Sequence, residues 1–383
     1  MQERQEQQPQ AAPAPRRIRV LVVDDSALAR QLLTAMLSED PEIEVVGTAG
    51  DPYSARDRIK QLEPDVITLD VEMPRMDGIT FLRNLMRLHP MPVVMVSSLT
   101  ERGADVTFDA LALGVVDFVT KPRIDVHEGL SRLGDEIRAK VRAAASARVR
   151  VSQFEAAPAA RPAQAAAPRP SRHLRTTDRL IALGASTGGT EAIKELLCGL
   201  PADAPGVVIA QHIPPRFSAA FARRVDALTA LTVKEAEDGE AVLAGHAYIA
   251  PGGRHLRVQR SGGRYVCRVS DDAPHNHHRP SVDVLFHSLA EAAGPNVTAA
   301  LLTGMGTDGA RGLLALREAG ARTFAQDQAS SVVWGMPGEA VRLQAAERAV
   351  ALEQLAQVLL ECATAAAGAP GAAHAPAEPV CSG

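Results

Sequence analysis

Residues 18–25 read Ile-Arg-Val-Leu-Val-Val-Asp-Asp, a nearly unbroken apolar run that ends in two carboxylates. A run this short and this rich in β-branched residues is what a parallel strand buried on both faces requires. Behind it, Leu28, Leu32, Leu33, Met36 and Leu37 mark one face of a helix. The rhythm repeats through EIEVVG (42–47), DVITLD (65–70), MPVVMVSS (91–98) and VVDFVTKP (115–122). Strand–helix alternation of this kind predicts an open, doubly wound α/β sheet.

Outward from that block the chain divides. From about residue 143 to 177 the periodicity fades into Ala, Pro and Arg, a composition that cannot bury enough surface to order itself. At Leu180 a second α/β pattern begins. RLIALGAS, GVVIAQH, HAYIAPG, VTAALLTG and ARTFAQD read as strands, with helices near 191–198, 219–228, 282–293 and 309–319. Leu256–Val258 and Tyr265–Val269, separated by Gly262-Gly263, predict a β-hairpin insert. The expected plan is a disordered extension over 1–15, a first domain over 16–141, a linker over 142–177, a second domain over 178–365 and a flexible tail over 366–383. At about 150 residues per domain, 383 residues suit two or three.

Composition narrows the function. The chain is 46% hydrophobic and 22% charged, as globular proteins are. Aromatic residues make up only 3%, too few for a base-stacking platform, and a net charge of −4 argues against nucleic acid. No apolar run is long enough to span a membrane, and the N-terminus lacks the apolar core of a signal peptide. Cys198, Cys267, Cys362 and Cys381 are scattered, which suits free thiols in a reducing compartment. The expectation is a cytoplasmic protein without direct membrane insertion.

In an open parallel sheet, ligands bind beyond the carboxyl ends of the strands. Asp24 and Asp25 follow the first strand, Asp70 ends the third, Ser97 the fourth, and Lys121 the fifth. Carboxylates crowded together need a cation, and an all-oxygen ligand set suits Mg²⁺. Asp70 then has the chemistry of a carboxylate nucleophile for phosphoryl transfer, with Lys121 and Ser97 meeting the phosphoryl oxygens. This constellation closely resembles a two-component response-regulator receiver domain over roughly 18–138. The resemblance implies that Asp70 is the phosphoacceptor and that a histidine kinase is the phosphodonor. It implies Mg²⁺ ligands in Asp25, Asp70 and the Glu72 carbonyl, with Asp24 nearby through water. Phe118 stands at the family's switch aromatic, so the usual tyrosine hydroxyl is missing.

The second half carries Gly184-Ala185-Ser186-Thr187-Gly188-Gly189 where a strand passes into a helix. Alone, this turn fits a nucleophile elbow, an anion-binding loop or a structural turn equally well. The next strand ends in Gln211-His212 where a dinucleotide fold would place an acidic ribose ligand. A later strand ends in Thr303-Gly304-Met305-Gly306-Thr307-Asp308-Gly309, where Asp308 either caps the following helix or joins a site. Ser186, His212 and Asp308 together can perform acyl transfer, in an order unlike that of α/β-hydrolases.

A receiver joined to GASTGG, QHIPP and TGMGTDG closely resembles the CheB family of chemotaxis methylesterases. The resemblance implies hydrolysis of glutamate γ-methyl esters and deamidation of glutamines on chemoreceptor helices. It also implies catalytic roles for Ser186, His212 and Asp308, an oxyanion donor in the Met305 N–H, Thr187 as a polar neighbour, and no cofactor for the ester chemistry. The cluster His275-Asn276-His277-His278, with His255, lacks the helical spacing or cysteine partners of a metal site. Arg279-Pro280-Ser281 reads as a helix start capped by Ser281. An Ala/Pro linker alone cannot couple two sites, so control of Ser186 by Asp70 demands an interface between the domains. The alternatives are a nucleotide-binding signalling module and a transcription factor. The first lacks its acidic ligand, and the second lacks a basic recognition helix.

Overall fold

A computed structural model describes residues 16–70, 73, 78–97, 100–121, 127–147 and 178–364. The predicted terminal extension, the tail, Glu72 and nearly all of the linker lie outside the described residues.

The first apolar run forms β1 (Ile18–Val23), and the others form β2 (Ile43–Ala49), β3 (Val66–Asp70), β4 (Val93–Ser97) and β5 (Asp117–Thr120). They pair in parallel in the order β2-β1-β3-β4-β5, so the chain reverses direction across the sheet between β1 and β3. Helices α1 (Ala27–Ser38) and α5 (His127–Ser146) cover one face, and α2 (Pro52–Leu62), α3 (Gly78–Leu88) and α4 (Glu101–Ala112) the other. Side chains start three of them. Ser26 accepts from the Ala29 N–H, Asp51 from Tyr53 and Ser54, and Thr100 from Gly103, each meeting a donor that a helix leaves open.

One boundary needs correction: α5 runs to Ser146, five residues beyond the expected end of the first domain at 141. Ala143 and Ala144 are buried, and alanine is the best helix former, so the helix continues where the apolar stripe looks spent.

The second sheet has seven strands in the order β14-β13-β12-β6-β7-β9-β8, all parallel. They are β6 (Leu180–Ala185), β7 (Gly206–Gln211), β8 (Thr232–Glu235), β9 (His246–Ile249), β12 (Val297–Leu301), β13 (Arg322–Gln326) and β14 (Arg348–Val350). Strands β10 (His255–Ser261) and β11 (Arg264–Ser270) form the separate antiparallel hairpin. One face carries α6 (Gly189–Cys198), α7 (Phe217–Asp226) and α11 (Leu352–Thr364). The other carries α8 (Val282–Ala292), α9 (Ala310–Glu318), α10 (Met336–Arg342) and the hairpin. The chain winds one way from β6 to β7 and returns on the other side of β6 as β12, so the β6/β12 seam is the switch point at which such sheets bind ligands.

The two domains share one apolar cluster that runs from α2–α4 and β5 into α6, α7 and α11. Phe118 stacks on Phe217 with ring centroids 4.7 Å apart. Phe108 on α4 stacks on Phe221 at 5.6 Å and meets Phe217 edge-on at 6.3 Å. Arg224 on α7 adds an exposed ion pair to Asp109 at 2.7 Å.

Candidate active site

Three loops converge at the carboxyl ends of β6, β7 and β12. Ser186 follows β6 directly. Its N–H donates to the Thr303 carbonyl at 3.0 Å, and its own carbonyl accepts from the Gly189 N–H at 2.8 Å. Gly188 makes the turn into α6 at φ 75°, a left-handed conformation that glycine adopts freely. Ala185 is paired with Gln211, so His212 emerges next to Ser186, with its N–H on the Ala185 carbonyl at 3.1 Å. Gln211 is buried, and its amide donates to the Ser186 carbonyl at 2.9 Å and to the His212 carbonyl at 3.1 Å. One side chain thus pins both turns.

His212 Nε2 lies 2.8 Å from Asp308 Oδ2. Asp308 is 2% exposed. Its Oδ1 accepts from Ser281 Oγ at 2.8 Å and Asn276 Nδ2 at 2.9 Å, and its Oδ2 also accepts the Val282 N–H at 2.7 Å. Burial works against its charge, but bonding to His212, Asn276 and Val282 holds the carboxyl well below the usual range. An ionised Asp308 assigns the imidazole proton to Nε2 and leaves the lone pair on Nδ1. Nδ1 is buried and has no hydrogen-bond partner among the described residues. An imidazole in this tautomer can accept a proton at Nδ1. Asp308 does not cap the helix that follows it, because α9 begins at Ala310 with Gly309 as its N-cap and no side-chain cap. Instead it sits at the N-terminus of α8, whose own N-cap is Ser281, as the sequence predicts.

Met305 lies in the loop after β12. The Gly304 carbonyl accepts from the Gly335 and Met336 N–H groups at 3.1 and 2.8 Å. In a planar trans peptide this turns the Met305 N–H to the opposite side, away from those partners. A Cβ on Gly304 would stand 2.7 Å from Ser186 Cβ and 2.3 Å from Met336 Sδ, so only glycine permits this approach.

The first domain reaches the same place. Thr187 is 3% exposed, and its Oγ1 donates to Asp117 Oδ2 at the start of β5. Lys140 on α5 lies 3.3 Å from Asp117 Oδ1 and donates to the Phe118 carbonyl.

Within the first domain, Asp24 and Asp70 are fully buried and Asp25 is exposed. Lys121 Nζ is 2.7 Å from Asp70 and 3.6 Å from Asp24. Burial raises the Asp24 pKa, as does the charge of Asp70, although Lys121 opposes both. Asp24 Oδ2 has no hydrogen-bond partner among the described residues. Carboxylate oxygens of Asp24, Asp25 and Asp70 lie within 4.8 Å of one another. An all-oxygen group with surplus buried charge and an orphaned oxygen fits a hard divalent cation. Ser97 Oγ accepts from Thr107 Oγ1 on α4 at 2.9 Å, and the next residue is the interface aromatic Phe108.

Comparison with known proteins agrees with this division. The CheB methylesterase family model matches residues 181–359, and the response regulator receiver domain model matches 20–132. A protein-glutamate methylesterase/protein-glutamine glutaminase of Xanthomonas campestris pv. campestris is 59% identical over 345 residues, which is 90% of this chain and 96% of the relative. The chain belongs to the CheB family. A Pseudomonas aeruginosa relative of the same name is 58% identical over 90% of this chain and 96% of its own length. The CheB methylesterase catalytic domain of Thermotoga maritima aligns with 34% identity and a TM-score of 0.47, covering 48% of this chain and 97% of that one.

Sequence reasoning missed several residues that build this CheB site. Asn276 and His278 belong to the histidine cluster weighed above only for metal binding. Gln211 opens the QHIPP motif but was given no role of its own, and Asp117 lies within a strand-like run and carries no motif. Their signal is position, at strand ends next to motif residues. A cavity of about 770 Å³ lies between α2 and α3, lined by Tyr53, Ile59, Phe81 and Leu88 among others, and holds none of the site residues.

Proposed function

We propose that this CheB protein hydrolyses glutamate γ-methyl esters on chemoreceptors, releasing methanol, and deamidates receptor glutamines to glutamate. The observation that carries this reading is the His212–Asp308 pair set beside Ser186, with a proton-free Nδ1 that has no hydrogen-bond partner among the described residues.

Ser186 Oγ attacks the side-chain carbonyl carbon, and His212 Nδ1 takes the hydroxyl proton. Asp308 stabilises the resulting imidazolium without taking a proton itself. The Met305 N–H faces the oxyanion of the tetrahedral intermediate. On collapse His212 returns the proton to the departing oxygen of methanol, or to the nitrogen of ammonia, leaving a glutamyl ester on Ser186. Water then attacks with His212 again as base, and glutamate and free Ser186 result. The ester and the amide share one oxyanion, so one site serves both.

The receiver domain closes the site through Thr187–Asp117 and the phenylalanine cluster. Asp70 accepts a phosphoryl group from a histidine kinase, with Lys121 and Ser97 binding its oxygens. Mg²⁺ held by Asp25, Asp70 and the Glu72 carbonyl, with Asp24 nearby, would neutralise phosphoryl charge. Drawing Ser97 toward the phosphoryl group loosens its bond to Thr107 and disturbs Phe108. That biases a two-state interface toward opening.

A protein that works on the cytoplasmic helices of chemoreceptors acts in the cytoplasm; separately, no described helix is long and apolar enough to cross a membrane. Activity of residues 178–383 alone tests closure. The fragment should exceed the unphosphorylated full chain, and equal rates would refute steric control.

A further inference from the structure

The turn His275–His278 is closed by two mutual hydrogen bonds. The His275 N–H meets the His278 carbonyl at 3.0 Å, and the His278 N–H meets the His275 carbonyl at 2.9 Å. Asn276 and His277 sit at φ 51° and 66°, left-handed positions that Asn-Gly usually fills in such a reversal. Asn276 tolerates this conformation. His277 adopts it despite its Cβ, so the turn is held by its surroundings.

The turn delivers two side chains. Asn276 Nδ2 ties Asp308 Oδ1, at 2.9 Å, to the buried Asp283 Oδ2, at 2.8 Å. His278 lies flat on His212, with ring centroids 3.7 Å apart and planes 10° from parallel. The second contact answers a geometric need. His212 has one fixed ring bond, from Nε2 to Asp308, and a single hydrogen bond leaves a ring free to rotate about it. A flat neighbour removes that freedom and determines where Nδ1 points.

We propose that His278 is a positioning residue for the reaction, its ring holding His212 in the plane that serves both Asp308 and Ser186 and shutting water from that face. This rests on the Ser186–His212–Asp308 reading above. The stack must persist when His212 becomes an imidazolium. Burial and the facing charge of His212 push the His278 pKa down to about 3. Lys140 of the first domain and His277 act in the same direction, and Asp308 opposes them. His278 therefore stays neutral beside a protonated His212.

The test uses the full chain, phosphodonor and Mg²⁺, with methanol release from methyl-esterified receptor membranes as the rate. His278→Ala should lower kcat by about 10- to 100-fold with KM within about twofold, as expected for loss of alignment. The low-field proton resonance of the His212–Asp308 bond should broaden through exchange with water. His278→Phe restores a flat ring and should recover at least about tenfold in kcat, together with the resonance. Full activity in His278→Ala overturns the proposal, as does His278→Phe no better than alanine. If the alanine variant does not fold, the phenylalanine variant decides alone, and a kcat below about one-tenth of wild type overturns the proposal. Ser186→Ala is run alongside. Undiminished release there rejects the underlying triad, whereas lost release with an unaffected His278→Ala rejects only the role of His278.

Discussion

Phe108→Ala should switch the enzyme on without phosphorylation. Phe108 leaves α4 of the receiver, is 1% exposed, and meets two rings of α7 at 5.6 and 6.3 Å. Removing a buried phenylalanine costs about 3–5 kcal/mol in all. The receiver's own core covers part of this ring, so only a share belongs to the interface. Two aromatic pairs at about 0.5–1.5 kcal/mol each, plus the apolar area they cover, put that share at about 1.5–3 kcal/mol. At about 1.4 kcal/mol per factor of ten, the open population rises roughly 10- to 100-fold. The ceiling is the rate of the isolated catalytic domain. The assay is methanol release from methylated receptor membranes without phosphodonor. As a control, Arg224→Ala removes an exposed ion pair worth at most about 1 kcal/mol and should raise the basal rate less than about fivefold. A basal rate for Phe108→Ala within about twofold of wild type would refute closure through this face.

Other perturbations separate the remaining parts. Asp308→Asn should lower kcat by roughly 10³- to 10⁴-fold, because an amide favours the wrong imidazole tautomer, while circular dichroism reports a folded chain. Gly304→Ala should reduce activity at least about tenfold, since its Cβ would meet Ser186 Cβ at 2.7 Å, and a crystal structure should show the Met305 loop displaced. Asp70→Asn should abolish stimulation by a phosphodonor but leave the basal rate unchanged, read from the same methanol assay. His278 also predicts a pH effect on stability. Its pKa is about 3 when folded, so between about 6.5 and 3 the unfolded chain binds a proton that the folded chain refuses. Its contribution is present above pH 6.5 and lost on acidification, about 1–2 kcal/mol by pH 5. Asp308 also loses its contribution on acidification, but only from about pH 3.9 downward, below the interval from pH 7 to 5. Urea titrations at pH 7 and 5 should show a smaller loss in His278→Phe, and equal losses would contradict the assignment.

The fold was legible because parallel strands buried on both faces leave continuous β-branched runs, and each of the ten such runs read from the sequence is a strand. β8 (Thr232–Glu235) and β14 (Arg348–Val350), four and three residues long at the two edges of the sheet, were not legible. Edge strands bury less and need no apolar signature. α10 and α11 were missed as well: α10 is only seven residues long, whereas α11 carries Leu352, Leu355, Ala356, Leu359 and Ala363 at helical spacing, a signal that was there to read. Ser186, His212 and Asp308 were readable as strand-end residues in glycine-rich turns. Asn276 and His278 were not, because their roles arise from a left-handed turn that folds a loop back onto β7 and β12. The Thr187–Asp117 contact was also hidden, since nothing local marks which residues two domains will bring together. Asp308 shows why a local alternative misleads: it does sit at a helix N-terminus, but that of α8, 26 residues upstream as measured to Val282.

The most direct test of the account is methanol release from methyl-esterified receptor membranes by wild type and Ser186→Ala, each with and without a small phosphodonor and Mg²⁺. Wild type should release methanol slowly and faster with phosphodonor, and Ser186→Ala should release none in either condition. Release that survives in Ser186→Ala, or its absence from phosphodonor-treated wild type, would contradict it.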